Sequence, residues 1–110
     1  MRHSRQLVIR IARLSSRASD APPTDGLLAE MEDLLAEGYL TALSGEAGSR
    51  RLAERLGRLI EIIDQPQAAL EARRVAQEKR RLDDEVSDLR AQLGVMREQF
   101  MQLRALSRAG

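Results

Sequence analysis

The chain has 110 residues, with 18 Lys and Arg against 17 Asp and Glu, a formal net charge of +1, no Cys, no Trp, and one each of Phe, Tyr and His. These counts exclude a disulfide framework and a Cys/His zinc site. They also argue against a protein whose main task is coating nucleic acid, because net charge is near zero and aromatics for base stacking are scarce. A composition rich in Ala, Leu, Arg and Glu with few β-branched residues predicts an all-α protein of a single domain.

The charge is unevenly laid out. Residues 1–17 hold five Arg and no acid, residues 18–49 hold seven acids and no Lys or Arg, and the signs interleave from residue 50 onward. Residues 1–19 read as a short amphipathic basic helix: Leu7, Ile11, Leu14 and Ala18 share one face, with Val8 beside them. Arg2, Arg5, Arg10, Arg13 and Arg17 cover much of the remainder and are the candidate contacts for an anionic partner. That partner is the acidic segment that follows, an anionic membrane surface or a phosphate backbone. A cleaved targeting segment, Arg- and Ser-rich and acid-free, is a further reading. No stretch reaches the roughly 20 apolar residues needed to span a bilayer. The run Leu7–Ala12 is interrupted by Arg10, unlike the centre of a secretory signal, so a cytoplasmic location is expected, with a membrane reached only peripherally through helix 1.

Residues 20–26 form a Pro-rich linker. Pro22 and Pro23 stop the first helix, and Thr24 or Asp25 is placed to cap the next. Residues 27–107 then carry one seven-residue apolar repeat in two arms, which predicts a long antiparallel, coiled-coil-like helical hairpin. Its tip is 64–67. Pro66 cannot continue a helix arriving over residues 50–63, and Asp64 followed by Gln67 fits an N-cap for the second arm.

Folding the arms about this tip sets Leu59 against Ala72, Leu56 against Val75, Gly45 against Val86, Gly38 against Leu93 and Met31 against Phe100. Small residues on one arm meet large ones on the other, as close packing requires. The same register brings Arg55 to Glu78, Glu32 to Arg97 and Asp25 to Arg104, and sets Glu46 unfavourably against Asp83. Lys79 occupies a seam position and runs its stem to the edge, near Glu78 or Asp83. Two other arrangements fit less of the pattern: a first arm broken at Ser44–Ser49 by Gly45 and Gly48, and a parallel dimeric coiled coil over Leu82–Leu103.

Leu27, Leu34, Ile60, Ile62 and Leu106 form a second apolar set beside the seam. A bare hairpin leaves this stripe wet, so it is the candidate partner-binding surface, covered by helix 1, by a second copy or by another protein's helix. No phosphate-binding loop or dinucleotide fingerprint is present, the lone His3 lies near a terminus, and too few bulky residues remain to build a substrate pocket. The expectation is a non-enzymatic helical scaffold or adaptor that acts through protein–protein contact and self-assembles into a homo-oligomer, with no cofactor, metal or small-molecule substrate. Two other readings stand beside it: an adaptor anchored to membrane or nucleic acid by the basic N-terminal helix, with nucleic acid the less favoured, and an export-type chaperone that holds a client helix.

Overall fold

The structure is a computed structural model that describes the backbone of residues 2–20 and 22–109, and the side chains within them from Ser4 onward. Three helices follow one another: α1 (Arg2–Asp20), α2 (Asp25–Ile60) and α3 (Pro66–Ala109). At 1.5 Å per residue the 44 residues of α3 span about 66 Å, and the molecule is a rod of 67 × 19 × 15 Å. α2 and α3 pack antiparallel along their length, the hairpin expected from the repeat, and α1 packs mainly on α3 and less on α2.

α1 lies along one end of the rod only. Ser15 and Ser19 of α1 bond Gln99, while Ser4, Arg5 and Val8 border Glu85 and Asp88, so α1 runs parallel to α3. Arg10 pairs with Glu37 and Arg17 with Glu30, so it runs antiparallel to α2. This end, the base, encloses one core. α1 gives it Leu7, Ile11, Leu14 and Ala18; α2 gives Leu27, Met31, Leu34 and Ala42; α3 gives Leu89, Leu93, Met96 and Phe100. Beyond α1 the hairpin continues as a two-helix finger. There Ala68, Ala72 and Val75 are buried, but Leu52, Leu56 and Leu59 opposite them are only half-buried.

Local chemistry explains the boundaries. Thr24 is extended (φ −78°, ψ 154°), and its side-chain oxygen accepts from the Leu27 N–H at 3.2 Å, the N-cap placed from the sequence. At the tip the expectation needs correcting. α2 ends at Ile60 rather than Ile63, and the chain crosses over in tight turns, with Ile62 N–H donating to Leu59 C=O and Gln65 N–H to Ile62 C=O. Asp64 belongs to this turn and is not the cap. Gln65 holds the cap position, its carbonyl accepting from Ala69 N–H at 3.0 Å, and Pro66 is the first helical residue, where a missing N–H costs nothing. Ile63, which lies in this turn, is consequently exposed.

α2 passes through residues 44–49 without a break. Gly45 and Gly48 are there because α3 comes close. A Cβ built on Gly45 would lie 2.5 Å from Val86 Cγ2, one on Gly38 would meet Leu93, and one on Gly48 would lie 3.2 Å from Leu82 Cδ2. The register read from the repeat is therefore the register of the fold. By contrast, Cβ atoms at Gly57 and Gly94 would enter open space. Alanine at either of these should raise stability by about 0.5–1 kcal/mol through helix propensity. Alanine at Gly45 should lower it, because Val86 is stiff at χ1 and overpacking costs about 1–3 kcal/mol. Urea unfolding of the three variants checks this opposition of sign.

Candidate interaction surfaces

The five arginines of α1 divide. Arg10 pairs with Glu37 at 3.3 Å and Arg17 with Glu30 at 2.8 Å, both at the surface where α1 meets the acidic start of α2. Arg13 is exposed and borders the same groove beside Asp33, and Arg5 is exposed beside Glu85 and Asp88. The side chain of Arg2 lies outside the described residues. The apolar face of α1 is buried in the base: Leu7 and Ile11 are fully enclosed, and Leu14 and Ala18 nearly so. A clamp on the α3 side fixes the helix, since Gln99 Nε2 donates to the Ser15 carbonyl at 3.2 Å and to Ser19 Oγ at 3.3 Å, while Ser15 Oγ donates to Gln99 Oε1.

The apolar stripe beside the seam also divides. Leu27 and Leu34 are only 7% and 5% exposed, packed under α1 in the base core, so these two are closed to an outside partner. The reason is that α1 settles on the flank of α2 that carries them. Ile60, Ile62 and Leu106 remain open, and Ile60 and Ile62 are joined at the finger end by Ile63 and Leu70. Thus Ile60, Ile62, Ile63 and Leu70 make an apolar tip that no element of the described chain covers. Glu61 and Asp64 stand among them, and no basic residue lies between Ile60 and Leu70, so the tip is apolar with an acidic edge.

Flank charges pair differently from the simple register. Arg55 bonds Glu71 rather than Glu78. Glu46 does not confront Asp83; it accepts two hydrogen bonds from Arg90, at 3.0 Å from Nε and 2.6 Å from Nη2. Asp83 instead accepts from Lys79 Nζ at 2.8 Å and from Ser49 Oγ. Long side chains on facing helices lean a turn toward the nearest opposite charge, and the register alone does not choose among them.

These contacts set the acid behaviour. The Arg90 hydrogen bonds hold the Glu46 carboxyl below its usual range and raise the Arg90 guanidinium, and the hydrogen bonds from Lys79 and then Ser49 hold Asp83 below its own. A carboxyl depressed in the folded chain contributes stability above its unfolded pKa of about 4, and that contribution is lost as pH falls through the folded value. Glu46→Gln and Asp83→Asn should therefore lower the melting temperature slightly at pH 7, and the gap to wild type should narrow as pH falls below about 4. Melting curves across that range decide it; a gap that stays constant with pH would discount both pairs.

Among the described residues no three or more His, Asp or Glu side chains converge to hold a metal, and no helix is long and apolar enough to cross a membrane. The surface dips are shallow, lined by mixed charge and aliphatic stems, such as the one formed by Arg55, Leu70, Glu71 and Arg74 on the finger. No family model, curated protein or solved structure matches the chain.

Sequence reasoning missed one surface. Leu40 and Leu43 are 69% and 55% exposed on the outer side of α2, away from both other helices. The signal was present in the spacing of Ala36, Leu40, Leu43 and Ala47, a second three-four run offset from the seam, but a reading centred on the seam assigns those positions to solvent.

Proposed function

We propose that the protein is a non-enzymatic helical interaction module, a scaffold or adaptor, with a three-helix base that holds rigid a two-helix finger. The observation that carries this reading is the finger end, where Ile60, Ile62, Ile63 and Leu70 stay exposed together on a long, stiff hairpin. Grouped large apolar side chains at the surface mark sites of protein contact more often than scattered ones do. The engagement of α1 supports this reading over a membrane or nucleic-acid anchor. The apolar face that an anchoring helix would insert is already used in the base core, and two of its arginines face α2 carboxylates.

The test compares wild type with a variant carrying Ile60→Gln, Ile62→Gln and Leu70→Gln. These positions are exposed, so helicity and melting temperature should hold. Capture from the source cell's extract should yield a protein retained by wild type and lost by the variant. Equal capture by both, or salt-sensitive binding of the full chain to anionic vesicles that vanishes on deletion of residues 1–20, would replace this reading with the others.

A further inference from the structure

The outer side of α2 carries a stripe at three-four spacing: Asp33, Ala36, Leu40, Leu43, Ala47 and Arg50. All six are exposed except Ala47, which is half-buried, and none belongs to the base core or the hairpin seam. The stripe has a particular order. Its two large apolar residues are at the centre, alanines flank them, and an acid closes one end and a base the other. That order reads as its own complement when reversed.

The geometry points to a second copy of this chain as the occupant, docked through α2 against α2 in an antiparallel, two-fold arrangement. With Leu40 set beside the second copy's Leu43, and the reverse, Ala36 meets the second copy's Ala47 and Asp33 meets its Arg50, each contact made twice. Such self-complementarity is what a two-fold interface demands, since the same patch serves both sides. Four leucines form the centre, the alanines let the helices approach, and opposite charges close both ends. A parallel pairing would stack Asp33 on Asp33 and Arg50 on Arg50, so the charges select the antiparallel one. α1 leaves the centre of the stripe open, with Ala36, Leu40 and Leu43 exposed, and reaches only its acidic end, where Arg13 borders Asp33.

The contact is a single helix crossing, at the low end of interface size, so association in the micromolar range or weaker is expected. It deepens the interaction-module reading and rests on it, and it uses a face distant from the finger tip.

Sedimentation equilibrium of the full chain across concentrations bracketing the micromolar range tests it. The expected result is a monomer–dimer equilibrium. Leu40→Glu with Leu43→Glu should be monomeric throughout, with helicity unchanged. Arg50→Asp and Asp33→Arg should each weaken the dimer by about tenfold, and the two combined should restore it. The chain has no Cys, so introduced thiols report direction. Ala29→Cys and Glu54→Cys should each fail to form a disulfide alone and should cross-link when mixed. A monomer at every concentration overturns the inference, as does a dimer that survives Leu40→Glu with Leu43→Glu, or one in which Glu54→Cys links to itself. Each of those results leaves the interaction-module reading standing, because capture at the finger tip tests that separately.

Discussion

Leu93→Ala should destabilise the protein by about 2–5 kcal/mol, the largest effect of any single substitution considered. Leu93 is fully enclosed where the three helices meet, and its side chain lies against Gly38 of α2. Truncation leaves a void with a glycine as its floor, which has no side chain of its own to fill it. Against a total stability of about 5–15 kcal/mol for a domain, such a loss can remove a large share of the folded population at body temperature. The same geometry predicts a reversal of sign. Gly38→Ala should be harmful in the wild-type chain, where the added Cβ would strike Leu93, and beneficial in the Leu93→Ala background, where it fills part of the void. A double-mutant cycle measured by urea unfolding reads this coupling directly. Leu106→Ala, at a side chain 61% exposed, serves as the control and should change stability by no more than about 0.5 kcal/mol. Additive effects at positions 38 and 93 would show that the two helices do not approach as closely as described.

Removal of residues 1–20 should open the base while sparing the finger. Leu7, Ile11 and Leu14 are each buried almost completely, and each such burial is worth about 1.5–3 kcal/mol. Their loss also uncovers Leu27 and Leu34 on α2 and much of the face formed by Leu89, Leu93 and Met96 on α3. The shortened chain should bind a hydrophobic dye, self-associate in a salt-insensitive way, and lose amide protection over residues 27–45 and 85–103 more than over 52–80. The ion pairs of α1 contribute far less. Arg10→Ala with Arg17→Ala removes two exposed pairs worth about 0–1 kcal/mol each and should leave α1 seated. Hydrogen exchange on the three proteins separates the contributions. If the double arginine variant resembles the deletion, charge rather than apolar burial holds the helix.

The hairpin and its register were legible because the repeat never changes phase, and because Gly38 and Gly45 answer Leu93 and Val86 at positions set by that phase alone. The amphipathic face of α1 was legible for the same reason. Which flank of α2 it would cover was not, since Leu27 and Leu34 on one side and Tyr39 on the other offer comparable partners in sequence. The exact end of α2 was not legible either. Pro66 forbids a continuous helix, but whether the chain leaves helical winding at Ile60 or Ile63 depends on how much span the crossover needs. The salt bridges were read only roughly. Arg55 finds acids at both Glu71 and Glu78 within reach, and the choice between them belongs to side-chain geometry. As for sites, the candidate stripe divides by exposure, which the repeat alone does not set: Ile60, Ile62 and Leu106 are open, and Leu27 and Leu34 are buried.

The direction of α1 bears on the order in which the chain takes shape. Its Ser15 is bonded to Gln99, 84 positions later, whereas the hairpin closes from a crossover of a few residues and can zip outward through near neighbours. During synthesis α1 therefore emerges first and is seated last. Until α3 has been made, α2 is the only element of the described fold that can shield its apolar face, and their contact is the slightest of the three helix pairings. Over that interval the nascent chain presents Leu7, Ile11 and Leu14 to its surroundings. A slow final step in refolding, delayed by Leu7→Ala but not by Val75→Ala, is the kinetic mark this topology should leave.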